Sequence, residues 1–122
     1  MVALLLRTSA AAAVEARLFG RPQTLHAPEL IDVEVTQVLR RYSMSGQLDT
    51  ERGRAVLVDL MDFPIERHPH AVLLQRVWEL RHNLSAYDAV YLALAESLDA
   101  ALLTDDRRLV TAARRHSRVE IL

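Results

Sequence analysis

Residues 86 to 98 read AYDAVYLALAESL, a helix-length segment that is apolar on nearly every side and carries a single aspartate, Asp88, near its start. A helix of this kind suits the interior of a fold. If it is buried, the Asp88 charge must be paired, hydrogen-bonded or bound to a metal, because an isolated carboxylate in apolar surroundings is strongly disfavoured. A second acidic site follows at once, where the short apolar run of LLTDDRRL (102 to 109) ends in Asp105 and Asp106.

The rest of the chain alternates helical and short apolar segments. Val2 to Leu6 and Ser9 to Leu18 read as helices, the second capped by Thr8 or Ser9 and stopped by Gly20 and Pro22. Thr24 to Ala27 reads as a buried strand, and Pro28 suits the first turn of a helix running to about Met44 and closed by Gly46. A helix over 50–62, a weak strand over 65–67 and helices over 70–82 and 86–98 follow, the last with Ser85 as its N-cap. Ala100 to Leu103 is expected as a strand, Asp105 to Arg115 as a helix capped by Thr104, and Arg118 to Leu122 as a final strand. Such alternation predicts an α/β fold with a mostly parallel sheet flanked by helices.

Composition narrows the chemistry. The 122 residues, 51% of them apolar, are enough for one domain with a proper core. No apolar stretch approaches the roughly 18 to 20 residues that span a bilayer, so the expectation is a soluble, cytoplasmic protein. Sixteen acidic residues against fifteen basic leave no global field announcing a polyanion partner. The absence of cysteine removes thiolate sites and nucleophiles, and the absence of lysine removes the phosphate-binding lysine of P-loop proteins and lysine Schiff-base chemistry. It also removes the lysine that a phosphoacceptor receiver domain would need beside its acid pair. The pairs Arg40 with Arg41, Arg107 with Arg108 and Arg114 with Arg115 could grip phosphates or simply lie on solvated helix faces.

Three carboxylates stand out by placement. Ile31, Val35, Val38 and Tyr42 form one helical stripe, and Glu34 falls inside it, whereas Asp32 lies on a more polar side. Each acid also has a purely structural account. Glu34 can reach water from the stripe's edge. Asp88 stands three residues after Ser85, as in a capping box, and Asp106 can occupy an acidic first turn after Thr104. Together they point further, because open α/β sheets gather strand ends and helix starts around one crevice. Convergent carboxylates without Lys or Cys suit a hard cation such as Mg²⁺ or Mn²⁺. Among the five histidines, His68 and His70 are separated by Pro69 and no third ligand lies at zinc spacing, so surface or loop positions are expected. Trp78 is expected in the core with Leu73, Leu74 and Val77.

HAPELIDVEVTQVLRR (26 to 41), LRHNLSAYDAVYLALAESL (80 to 98) and LLTDDRRL (102 to 109), in this order and spacing, resemble the PIN-domain ribonuclease toxins called VapC. The resemblance covers essentially the whole chain and implies a three-layer PIN-like domain. In that family four acidic residues line a cleft and hold one or two Mg²⁺ or Mn²⁺ ions used to cut RNA. Matched motif by motif, three of them fall on Glu34, Asp88 and Asp106, with Asp105 a candidate auxiliary acid. The resemblance further implies a VapB-type antitoxin, homodimerisation and a structured RNA substrate such as tRNA. Arg81 and Asn83, just before the helix of Asp88, become candidates for steering phosphate or ribose, or for capping the preceding helix. The family pattern opens with a strand ending in an aspartate, in a form like VVDASA, followed by a helix resembling Val2 to Leu6. On that match the first central strand and the fourth carboxylate are expected to be absent, as a start assigned too late at an internal methionine would produce. An inactive PIN remnant that only binds an antitoxin or its own copies is the alternative.

Overall fold

The computed structural model of the protein describes residues 2–5, 24–104 and 106–121. In chain order these form β1 (Val2–Leu5), β2 (Thr24–Pro28), α1 (Leu30–Met44), α2 (Thr50–Asp62), β3 (Ile65–His68), a 3₁₀ turn (Ala71–Leu73), α3 (Leu74–Glu79), α4 (Ala86–Leu98), β4 (Ala101–Leu103) and α5 (Arg107–His116). The four strands make one sheet in the order β3-β2-β1-β4, with every pairing parallel. The expected α/β architecture with a parallel sheet is therefore present. The helix expected over Ser9 to Leu18 lies outside the described residues.

The start of the chain corrects the reading made from pattern alone. Val2–Leu5 is a strand, not a helix, and it holds a central position between β2 and β4, so the first central strand is not absent. A short unbroken apolar run fits both a strand buried on two faces and a piece of buried helix, and periodicity does not separate them. Other boundaries shift for local reasons. Pro28 ends β2 instead of opening α1, and the segment expected as one helix over 70–82 divides into the 3₁₀ turn and the short α3. The final strand reduces to an isolated bridge between Leu102 and Ile121, where the Leu102 N–H donates to the Glu120 carbonyl at 2.8 Å.

The core lies around α4, which buries every residue from Ala89 to Ala95. Ala27 and Ile31 at the β2–α1 junction, Ile65 of β3, Leu102 of β4 and Leu109 of α5 close on it. Asp99 takes a left-handed conformation (φ 50°) at the end of α4, a backbone state that Asp adopts more readily than most residues. With Asp99 so placed, the Ala100 N–H reaches the Ala95 carbonyl at 2.9 Å and the chain passes straight into β4. Arg76 of α3 grips both oxygens of Glu96 on α4 at 2.8 and 3.1 Å, and the Ser117 hydroxyl donates to the same carboxylate. Among the described residues no helix is long and apolar enough to cross a membrane.

The α1–α2 pair is different in kind. Only Ile31 of α1 is buried, and no residue of α2 is. The expected stripe fades along α1, from buried Ile31 through half-buried Val35 and Val38 to exposed Tyr42. The pair is tied to the sheet at its base, where the Arg67 Nε donates to both oxygens of Asp32 at 3.0 and 2.9 Å. Arg67 also caps the end of α2 through the Leu60 carbonyl at 2.7 Å. Asp32, unremarkable by pattern, is thus the anchor of the arm.

Candidate active site

Chain direction places the acidic residues along one edge of the sheet. Helix α1 begins one residue past the carboxyl end of β2, and α5 begins just past that of β4. Helix α4 leads into the amino end of β4 through a tight turn, so its own start, with Ser85 and Asp88, faces back toward the carboxyl edge. Glu34, Asp88 and Asp106 therefore all belong to the edge where open parallel sheets bind ligands.

Glu34 sits half-buried in the second turn of α1, and its Oε1 accepts a 2.5 Å hydrogen bond from the hydroxyl of Tyr91. That distance belongs to the short, charge-assisted class of O–H···O⁻ contacts. Tyr91 is completely buried in α4, one helical turn after Asp88. The bond accordingly holds Glu34 against the helix that carries Asp88, at the junction of α1 and α4. Asp88 is half-buried, and its backbone N–H donates to the Ser85 Oγ at 3.2 Å, so Ser85 is the expected N-cap.

Asp106 takes the role expected of Thr104. It is the N-cap of α5, with Oδ1 accepting from the N–H groups of Arg108 at 2.9 Å and Leu109 at 3.3 Å. Buried Thr104 instead fixes Asp106 by accepting its N–H at 3.0 Å. A carboxylate at a helix start, bonded to free backbone donors, has its charge stabilised and its position set. Asp105 lies outside the described residues.

These acids share an edge without forming a tight knot. Among the described residues, the set of three His, Asp or Glu side chains whose ligand atoms all lie within 4.8 Å of one another is His26, Glu66 and His68, not Glu34, Asp88 and Asp106. His26 is buried, which corrects the expectation of surface histidines. The signal was available in the strand pairing, since β2 and β3 set His26 opposite Glu66, but register is not readable from one short strand alone. Tyr91 was equally hidden, because an apolar helix gives no hint which of its tyrosines meets a carboxylate 57 positions away.

Trp78 is 67% exposed, contrary to its expected place in the core, and the Arg81 guanidinium lies 4.6 Å from its ring centre. Leu74 is exposed with it, while Leu73 and Val77 turn inward. A cation over an indole face is a favourable contact that fixes the guanidinium. Arg81 also donates to the Trp78 carbonyl at 3.0 Å, and the Asn83 N–H donates to the Leu80 carbonyl at 3.0 Å. Both residues thus close the end of α3, as the capping account expected, while standing on the turn that leads to Ser85.

A parallel sheet with acids along its carboxyl edge defines an α/β class to which PIN domains belong, and residues 1–115 match the family model for the PIN domain. The chain is 43% identical over 95 residues to Ribonuclease VapC9 of Mycobacterium tuberculosis, covering 78% of this chain and 75% of that protein. It is 36% identical over 121 residues to Ribonuclease VapC12 of the same organism, covering 99% of this chain and 92% of the relative. The fold is also similar to the crystal structure of PAE2754 from Pyrobaculum aerophilum, with a TM-score of 0.64 at 24% identity over 98% of this chain and 88% of that one. The chain belongs to the PIN-domain family and, within it, to the VapC-type toxins.

Proposed function

We propose that this chain is a single PIN-like domain acting in the cytoplasm as an endoribonuclease toxin that depends on Mg²⁺ or Mn²⁺. The substrate class is structured RNA such as tRNA, the inhibitor a VapB-type antitoxin, and the acting form a homodimer. The observation that carries this reading is the similarity to the VapC ribonucleases, supported by the Tyr91–Glu34 bond that ties α1 to the helix carrying Asp88.

The donor set fits a hard cation, since all three side chains offer only carboxylate oxygens. Glu34, Asp88 and Asp106 would hold it. When bound, such a cation supplies Lewis-acid stabilisation of the charge that develops on the scissile phosphate. The chain's own residues supply position. Tyr91 fixes the rotamer of Glu34 through its 2.5 Å bond, and the α5 amides hold Asp106 by one oxygen. Arg81, held over Trp78, and Asn83 lie on the approach to α4, where a guanidinium and an amide can orient phosphate and ribose.

The second reading is an inactive module that only binds an antitoxin or its own copies. Cleavage of a bulk tRNA preparation separates the two. The enzyme cuts with Mg²⁺, stops with EDTA, and loses at least about a hundredfold in rate on Glu34→Gln, the scale expected when a group stabilising transition-state charge is removed. Absence of cation-dependent cleavage by the folded wild-type chain would leave the binding module.

A further inference from the structure

We propose that His26, Glu66 and His68 form a second cation site, selective for a borderline dication such as Zn²⁺ and built from none of the three acids Glu34, Asp88 and Asp106. Strand register builds it. His26 of β2 pairs directly with Glu66 of β3, and His68 lies two residues on along β3, so all three side chains project from the same face of the sheet.

The distances suit one ion. His26 Nδ1 is 3.5 Å from Glu66 Oε2 and 2.8 Å from His68 Nε2, and the three ligand atoms fall within 4.8 Å of one another. Ligands bound at about 2.0–2.1 Å in tetrahedral geometry stand roughly 3.3 Å apart. The His26–Glu66 edge is close to that spacing already. The imidazole pair needs to open by about half an ångström, replacing the hydrogen bond between His26 Nδ1 and His68 Nε2.

Donor chemistry sets the selectivity. Two imidazoles and one carboxylate favour Zn²⁺, Co²⁺ or Ni²⁺, whereas the oxygen-only acids of the other site favour Mg²⁺ or Mn²⁺. Access is also built in. The His26 side chain is 11% exposed and that of Glu66 is 66% exposed, so the trio is rooted in the sheet on one side and open to water, a ready fourth ligand, on the other.

The location gives the ion a structural task. Strand β3 is an edge strand, and the His68 carbonyl accepts from the Glu29 N–H at 2.9 Å, immediately before α1. An ion at this point cross-links β2 to β3 beside the root of the helix that carries Glu34.

The test uses the full chain without a histidine tag, stripped with chelator and titrated with Zn²⁺ by calorimetry and with Co²⁺ by visible absorption, in excess Mg²⁺. The expected result is one equivalent bound, tetrahedral Co²⁺ bands, and a thermal midpoint that rises with Zn²⁺ concentration. Glu66→Ala and His68→Gln, both at positions outside the core, should weaken Zn²⁺ at least tenfold while retaining the wild-type circular dichroism. Glu34→Gln should leave Zn²⁺ affinity unchanged. Zn²⁺ affinity unaltered by Glu66→Ala and His68→Gln would overturn the site, as would loss of Zn²⁺ binding in Glu34→Gln.

Discussion

Helix α4 and the α1–α2 arm both carry apolar residues but use them in opposite ways. Every residue of α4 from Ala89 to Ala95 is buried, whereas α2 buries none and leaves Val58 and Met61 exposed. The difference lies in what separates the apolar positions. In α4 they adjoin one another all round the helix, so the only low-energy place for it is the centre of the fold. In α1 and α2 charged residues interrupt them at short intervals, as in TERGRAVLVDLMD, and the helices stay at the surface with apolar tips unsatisfied. The pair of helices is held to the sheet by Ile31 and the Asp32–Arg67 bridge and leaves Val33, Met44 and Met61 open to solvent. Helix α4 carries the core, and of the arm only Ile31 is buried.

The sharpest way to break this comparison is a matched pair of truncations. Leu92→Ala removes a side chain with no exposure and should cost about 2–5 kcal/mol, transfer term and cavity together. Val58→Ala, 55% exposed on α2, should cost no more than about 0.5 kcal/mol. Urea denaturation of both variants measures the contrast. Equal losses would mean that α2 is as much a part of the core as α4.

Legibility in the sequence follows the same line. Helices α2 and α4 were readable to the residue, because each has a breaker or a cap at its boundary, Pro64 after α2 and Ser85 before α4. The acids proposed for the site, Glu34, Asp88 and Asp106, stand out in the sequence as outliers in otherwise apolar or strand-end contexts. What local pattern did not reveal depends on tertiary pairing. The β1 strand was mistaken for helix because a central parallel strand has no polar face to give it a period of two. Trp78 is apolar by type but pairs at i,i+4 with exposed Leu74, while the adjacent pair Leu73 and Val77 turns inward, and four apolar residues in two adjacent pairs do not reveal which pair is the core face. The His26–Glu66–His68 group requires a register that neither strand encodes by itself.

The link between the two regions is the next largest effect. Tyr91→Phe deletes the hydroxyl that α4 presents to Glu34 of α1 and leaves the ring packed, so the loss should be about 1.5–3 kcal/mol, the range for a hydrogen bond to a charged group. Activity should fall as well, because Glu34 loses the bond that fixes its rotamer. A Tyr91→Phe protein with wild-type stability and wild-type RNA cleavage would show that the junction does not depend on this bond.

At the base of the arm, Asp32→Ala should cost about 1 kcal/mol or less, because the bridge to Arg67 is partly open to solvent, with the two side chains 21% and 40% exposed. The loss should shrink with added salt, and hydrogen exchange in α1 and α2 should quicken more than in α4. Uniform quickening across the molecule would mean that the arm and core open together and are not separable units.

Asp88 gives the smallest stability effect and the clearest separation of structure from chemistry. The cap at the start of α4 uses the Asp88 backbone N–H, which donates to Ser85 Oγ, so replacing the carboxylate by an amide keeps this bond. The charge that Asp88→Asn removes from the helix start is worth about 0.3–1 kcal/mol. Relief of repulsion from other acids at the same edge offsets part of that loss in the metal-free protein. The melting temperature should therefore move little, while RNA cleavage at saturating Mg²⁺ should collapse, because a carboxylate oxygen donor has been removed. Unchanged cleavage together with a clearly lowered melting temperature would assign Asp88 to the helix start alone, and would leave Glu34 and Asp106 as the acids of the edge.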